Sequence, residues 1–408
     1  MLSTAKPEIP FLEAEHFLLA QEVEDFAQGA IVPEEEEHAD YIARGISYVH
    51  QMAERGLLRY AVPRAYGGVH PVVDIRSLCI IRQGLARHSA LADAMFAMQG
   101  LGSYPISAGG SEPLKQKWLP RVASGEAIAA FALTEPEAGS DAASLQCTAH
   151  RERDVYLLDG TKRFISNAGI ADFYVVFAKT DPALGRRGIS ALVVDKDRPG
   201  LHMTGSMELI APHPIGEFRM ESCRVPVDNL LGSEGEGFNI AMHTLEAFRA
   251  TVGAAAVGLA ERALDEAMRH VKSRVQFGKL LSEFQGLRFM LAEMATELEA
   301  SRLLVYQAAW KLDCAGTNAS TIEVSTSHDT LSHTMASSMA KLYATEAGQR
   351  IIDRAVQIHG GVGVLKGSVV ERLYREIRAL RVYEGTSEIQ KEIISRQLLK
   401  TGEKRILS

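Results

Sequence analysis

The chain has 408 residues, with 44 Lys and Arg against 51 Asp and Glu, a formal net charge of −7. That length predicts two or three domains with room for a sizeable core, and 46% hydrophobic with 23% charged residues excludes general disorder. A mildly acidic chain without a basic block is a poor partner for nucleic acid or an anionic membrane surface, so neither is expected.

The opening stretch, Met1 to Ala20, mixes Glu8, Glu13 and Glu15 among its apolar residues, which fits neither a secretory signal nor an acid-poor transit peptide. From about Phe11 to Gly125 the apolar residues recur at helical spacing, broken by Gly67-Gly68 and Gly109-Gly110, which predicts a helical domain over 1-126. Within it, Glu34 to Glu37 after Pro33 reads as a solvated helix start. Over 127-237 the pattern changes to short β-branched and aromatic runs: Val155 to Leu158, Phe173 to Ala178, Ile189 to Val194 and Phe218 to Val225. Asp159-Gly160 is a hairpin signal, so a small antiparallel β domain is expected.

Over 238-408 long helical periods return, predicting a C-terminal bundle of four or five helices, an α+β multidomain chain overall. The uncharged run Thr251 to Ala260 is about half a membrane span and reads as a tightly packed helix. Gly316 to Thr334, rich in Ser and Thr and holding His328 and His333, reads as a surface loop. The four cysteines are scattered without a C-x-x-C pair, which predicts reduced, mostly buried thiols in a cytoplasmic setting and no metal site. H-E-x-x-H, G-x-S-x-G, a Walker loop and G-x-G-x-x-G after a strand are absent, which leaves metalloprotease, serine hydrolase and nicotinamide Rossmann readings with little support.

The segment Arg381-Val-Tyr-Glu-Gly-Thr-Ser-Glu388 carries the most chemistry. Glu384 sits in an apolar and aromatic setting before Gly385, with Thr386 or Ser387 placed to cap the next helix. A carboxylate desolvated in this way has its pKa raised and can serve as a base, and Gly385 allows close ligand approach. Taken alone, the segment also fits a surface turn with a capping threonine. It is accompanied by Phe131-Ala-Leu-Thr-Glu-Pro-Glu-Ala-Gly-Ser-Asp141, Lys162-Arg-Phe-Ile-Ser-Asn167, Arg274-Val-Gln-Phe-Gly-Lys279, Glu283-Phe-Gln285 and Gln357-Ile-His-Gly-Gly361.

In this order and spacing, over nearly the whole chain, these motifs resemble the acyl-CoA dehydrogenase family of flavoproteins. The resemblance implies an α, β, α domain order, a homotetramer, and FAD between the β domain and the C-terminal bundle. Phe131, Leu133, Thr134 and Ser140 would line the flavin, and Phe164, Ile165 and Ser166 would cover its other side. Arg274, Gln276 and Phe277 would hold the pyrophosphate and adenine end of a neighbouring subunit's FAD. Gln285, Gln357, Gly360, Gly361, Thr386 and Glu388 match further cofactor contacts. Ser140, Glu246, Arg249 and Gly385 would border the acyl-CoA substrate.

The implied reaction is α,β-dehydrogenation to the trans-2-enoyl thioester. Glu384 would take the α-proton while the β-hydrogen leaves as hydride to flavin N5. Electrons would then pass to an electron-transferring flavoprotein. Two departures from the family pattern stand out. Phe164 replaces the usual Trp, and Phe248 occupies the position where some members place the base, so that role falls on Glu384 with Glu246 as fallback. The stretch His88 to Gln99 has no arginine for a distal carboxylate, which points to a short, branched or alicyclic acyl group. His213, in a Pro-bounded segment, is expected to stiffen its loop or touch the coenzyme. Competing readings are a flavin oxidase or desulfinase on the same scaffold, and a flavin-free acyl-CoA-binding or interaction protein.

Overall fold

The structure, a computed structural model, describes residues 10–31, 40–316 and 332–406. The acidic run Glu34 to Glu37, His328 and most of the Ser/Thr-rich connection lie outside the described residues. Two compact units emerge, each assembled from separated segments.

One unit comprises Glu35–Val73 and Ala94–Leu245. Its helices are α2 (Tyr41–Glu54), most of α4 (Ala90–Gly109) and α5 (Glu112–Ala123). Its strands are β1 (Ala129–Ala132), β2 (Thr148–Glu152), β3 (Val155–Ser166), β4 (Phe173–Lys179), β5 (Ile189–Asp195), β6 (Leu201–Ser206), β7 (Ile215–Pro226) and β8 (Leu230–Leu231). They form one sheet of order β6-β7-β3-β2-β4-β5-β8 with β1 beside β4. Strand β4 is buried from Phe173 to Ala178, because its Phe, Tyr and Val side chains are covered on both faces. Trp118 of α5 packs against Phe173 with ring centres 4.5 Å apart and the rings tilted. Buried Gln99 of α4 donates to the Ala127 carbonyl (2.8 Å) and accepts from Ala129 N (2.9 Å), fixing the helix to the start of β1.

Two features of the sheet correct the sequence reading. It is mainly antiparallel, but β1 runs parallel to β4, because the chain between them crosses through β2 and β3 before returning. Asp159-Gly160 is no hairpin turn: it lies inside β3, where the register with β7 shifts between Leu158 and Gly160. Gly160 has φ 135°, and a Cβ there would stand 2.4 Å from Cys147 Sγ; the Asp159 carboxylate accepts from Ser222 N. The pair therefore forms a bulge, and the β2–β3 turn falls at Arg153 and Asp154.

The other unit comprises Met1–Glu34, Asp74–Asp93 and Glu246–Ser408. It holds α1 (Ala14–Ala30), α3 (Ile75–His88), most of α6 (Gly237–Ser273), α7 (Gln285–Gly316), α8 (His333–His359), α9 (Val369–Leu380) and α10 (Ser387–Ile406). The run Thr251 to Ala260 of α6 is buried throughout, and its small residues set the helix spacing. A Cβ on Gly258 would lie 2.1 Å from the Gln83 carbonyl of α3, and one on Gly253 would lie 2.8 Å from a Val305 methyl of α7. Between α6 and α7 the motif Arg274 to Lys279, expected on the bundle, instead forms a hairpin of β9 (Val275–Gln276) and β10 (Lys279–Leu280). Phe277 and Gly278 both have positive φ there, the pairing that closes a two-residue hairpin. Cys79, Cys147 and Cys223 are buried and Cys314 is exposed, with no disulfide among the described residues.

Candidate functional site

Glu384 lies in the loop between α9 and α10 at φ 52°, followed by Gly385 at φ 91°. A left-handed conformation at a glutamate costs energy and persists only where its surroundings hold it. Three sets of contacts do so. Lys341 of α8, fully buried, donates from Nζ to the carbonyls of Tyr383 (3.1 Å) and Gly385 (2.6 Å). Buried Gln390 of α10 donates from Nε2 to the carbonyls of Gly385 (2.9 Å) and Glu384 (3.3 Å). Arg381 pairs with Glu346 (2.8 Å), which also accepts from Ser387 Oγ. Gly385 can be nothing larger without movement, since a Cβ would stand 2.7 Å from Gln390 Nε2. Thr386 Oγ1 accepts from Ile389 N at the start of α10 (3.4 Å), so the cap falls on Thr386.

The Glu384 side chain is surrounded by charge. Among the cations acting on it, the fully buried Arg82 of α3 holds Asp93 at two points, Nε to Oδ1 at 2.8 Å and Nη2 to Oδ2 at 2.9 Å. Its Nη1 donates to Thr251 Oγ1 at 2.9 Å. Burial pushes the Glu384 carboxyl up to about 7, against the opposing pull of Arg82, Lys341 and Arg249. The Glu384 Oε2 atom is buried and makes no hydrogen bond among the described residues, and neither does Nε of the buried Arg249. Two orphaned polar atoms of opposite charge, a carboxylate oxygen and a guanidinium N–H, are what a polar ligand group would satisfy. Glu246, the fallback base, is engaged instead by Thr334 Oγ1.

In the other unit, the Lys162 ammonium is fully buried and bonds Glu135 (2.8 Å) and the Leu133 carbonyl (3.0 Å). Glu135 in turn accepts from the backbone N–H groups of Gln146 and Cys147. This pair fixes the segment after β1 that carries Leu133 and Thr134, and Arg163 N donates to the Thr134 carbonyl (3.0 Å). Phe131 and Leu133 are buried and Ser140 is exposed. Phe164 stands at φ 56° and 53% exposed, with the Arg163 guanidinium 5.3 Å from its ring centre; Ile165 next to it is buried. The Ser166 hydroxyl is 2.7 Å from His213 Nε2, and burial lowers the His213 pKa to about 4, so the ring is neutral near pH 7. His213 thus contacts the loop of predicted cofactor residues as well as bracing its own.

Arg274, Gln276, Phe277 and Gln285 lie exposed on or beside the β9–β10 hairpin, with Phe277 92% exposed. Gln357, Gly360 and Gly361 close α8 at the surface, and a Cβ at either glycine would meet nothing within 4 Å. Glu388 is exposed on the first turn of α10. Among the described residues, six non-glycine residues have positive φ, and three of them, Glu384, Phe164 and Phe277, belong to the predicted site. Local sequence reasoning missed Arg82, Asp93, Thr251, Lys341 and Gln390 as parts of the Glu384 environment. The available signal was a charged residue interrupting an otherwise small or apolar buried face, as Lys341 does between Ala340 and Ala344.

Comparison with known proteins completes the picture. Three family models match in chain order: the acyl-CoA dehydrogenase N-terminal domain over residues 13–126, the middle domain over 130–223 and the C-terminal domain over 235–399. An acyl-CoA dehydrogenase of Bacillus subtilis is 39% identical over 388 residues, covering 94% of this chain and 98% of that protein. The CarC subunit of the caffeyl-CoA reductase-Etf complex of Acetobacterium woodii is 40% identical, covering 86% of this chain and 89% of that one. Among solved structures, butyryl-CoA dehydrogenase of Megasphaera elsdenii superposes with a TM-score of 0.87 at 33% identity, covering 95% of this chain and 99% of that one.

Proposed function

Because this chain belongs to the acyl-CoA dehydrogenase family of oxidoreductases, we propose that it dehydrogenates a short, branched or alicyclic acyl-CoA thioester between its α and β carbons, with Glu384 as the base. The observation that carries the proposal is the Glu384 carboxylate itself. It is held at positive φ by buried donors, raised to about 7 by burial, and left with an orphaned oxygen. A base of that pKa is half ionised at neutral pH, where it is strong enough to take a proton yet still available to do so.

The residues present fit FAD as the cofactor. The exposed guanidinium of Arg274 and the amides of Gln276 and Gln285 suit a pyrophosphate and a purine, and the open glycines at 360 and 361 admit close approach. Gln357, Thr386 and Glu388 would complete that set. The exposed Phe164 face, with Phe131, Leu133, Thr134, Ile165 and Ser166, suits a flat ring. When bound, FAD supplies the acceptor for the hydride that leaves the β carbon. A solved acyl-CoA dehydrogenase of Bacillus anthracis is a complex with FAD, and it resembles this chain with a TM-score of 0.87 at 31% identity.

In the proposed step, Glu384 withdraws the α-proton as negative charge grows on the thioester oxygen, and the preorganised loop dipoles limit the reorganisation required. Ser140, Glu246, Arg249 and Gly385 border the substrate, with the unpartnered Arg249 Nε as a donor to it. Arg82 is locked on Asp93, which argues against a distal carboxylate on the acyl group. An electron-transferring flavoprotein is the proposed acceptor, supported by the Etf complex to which the Acetobacterium relative belongs. We place the enzyme in the cytoplasm as a homotetramer of three-domain subunits divided at 1-126, 127-237 and 238-408.

The test is anaerobic titration with straight-chain, branched, cyclohexane-carbonyl and dicarboxylic CoA thioesters. Bleaching of the oxidised flavin band by one class identifies the substrate. Glu384→Gln is expected to keep FAD and thioester binding while flavin reduction falls by about 10³-fold or more, because an amide cannot accept the proton. In the parent enzyme the reduction rate rises with pH as Glu384 ionises around pH 7. Reduction at the parent rate in the variant would remove Glu384 as the base and turn attention to Glu246.

A further inference from the structure

We infer that Lys341 is the positioning residue of Glu384: its buried ammonium pins the peptide groups on both sides of the base and serves as its counter-charge. The inference rests on the assignment of Glu384 as the base. Its geometric support is independent of that assignment. Lys341 sits on the buried face of α8 with Ser337, Ser338, Ala344 and Thr345, none of them charged. Two of its three N–H donors go to the carbonyls of Tyr383 and Gly385, the residues immediately before and after Glu384. Gln390 closes the same turn from α10 through the Glu384 and Gly385 carbonyls. The carbonyls around the strained Glu384 are therefore held from two helices, and of these two carbonyl clamps only Lys341 carries a charge.

A helix-to-loop staple would need only a neutral donor such as Gln390 provides. Placing an ammonium in a fully buried position is costly unless a counter-charge is near. Burial lowers the Lys341 pKa to about 8, and the charge that chiefly opposes this is Glu384. The other charged groups acting on Lys341 are Arg249 of α6, Glu346 of α8 and Glu388 of α10. Those acting on Glu384 include Arg82 of α3, Asp93 of α4 and Arg249, so Lys341 is one of three cations that favour the ionised carboxylate.

The experiment follows the protonated Glu384 carboxyl by infrared difference spectroscopy against pH on the FAD-loaded enzyme, the band being assigned by its loss in Glu384→Gln. Flavin reduction by the thioester found above is measured on the same samples. In Lys341→Gln, which keeps donors but loses charge, the midpoint of the band is expected to rise by about one pH unit or more. The acid limb of the reduction rate should move with it. Lys341→Arg keeps the charge with a different fork, so the midpoint should hold while the rate constant drops about tenfold. An unmoved midpoint in Lys341→Gln overturns the inference, as does an unimpaired rate in Lys341→Arg. If Lys341→Gln fails to fold, Lys341→Arg and Gln390→Met decide. The inference expects both to slow reduction at an unchanged midpoint, and parent rates in both would overturn it. Should Glu384→Gln still reduce its flavin, the base assignment falls, while the infrared midpoint continues to judge Lys341 as the counter-charge.

Discussion

At the scale of single residues, the loop around Glu384 shows how opposed charges are kept in a buried space. Arg82 and Asp93 neutralise each other through two short bonds, and Thr251 takes a further guanidinium donor. Removing one member of such a pair leaves the other charge buried and alone. Asp93→Asn is therefore expected to destabilise the protein by about 3–5 kcal/mol in urea unfolding. Asp93 also disfavours the ionised form of Glu384. The surviving folded variant should accordingly show its acid limb of flavin reduction shifted to lower pH, since Arg82, no longer neutralised, stabilises the carboxylate. A limb that stays in place would mean the Arg82 charge does not reach Glu384. Glu384 and Gly385 were legible in the sequence because they are adjacent. Arg82, Asp93 and Lys341 were not, because each stands far along the chain from Glu384 and acts on it only through the fold.

At the scale of elements, close backbone approach decides where helices can lie. The small-residue run of α6 was legible as a packed helix from its lack of charge and bulk. Which neighbours it admits was not legible, since that depends on the carbonyl of Gln83 and the side chain of Val305 meeting Gly258 and Gly253. Gly258→Ala forces a methyl onto the backbone of α3, and should cost about 2 kcal/mol, read as a lowered thermal midpoint. A midpoint equal to the parent's would show that α3 can retreat freely. The bulge at Asp159-Gly160 makes the same point for the sheet. A dipeptide that favours a turn in isolation stays within β3 because Cys147 and Ser222 occupy the space around it.

At the scale of the whole molecule, the β9–β10 hairpin presents Phe277 at 92% exposure and positive φ, an arrangement that folding of the single chain does not need. The proposed tetramer supplies a use for it, as a contact to a neighbouring subunit's FAD. Phe277→Ser is expected to weaken assembly or cofactor retention by about 2 kcal/mol, typical for an aromatic interface anchor. Sedimentation velocity and the FAD absorbance retained after gel filtration check this, and parent behaviour in both would remove Phe277 from the interface. No helix among the described residues is long and apolar enough to cross a membrane.

The sequence by itself determined the helical and β stretches, the motif carrying Glu384 and the family to which the chain belongs. Periodicity and short motifs are local, and a few residues of the right type at fixed spacing suffice to express them. Tertiary structure alone decided what the Glu384 carboxylate experiences. The Lys341 clamp on the Tyr383 and Gly385 carbonyls, the Arg82 and Asp93 charges that act on Glu384, and the neutral His213 against Ser166 all join residues distant in sequence. Their strength comes from exclusion of water, a property of the packed interior that no local pattern of residues encodes.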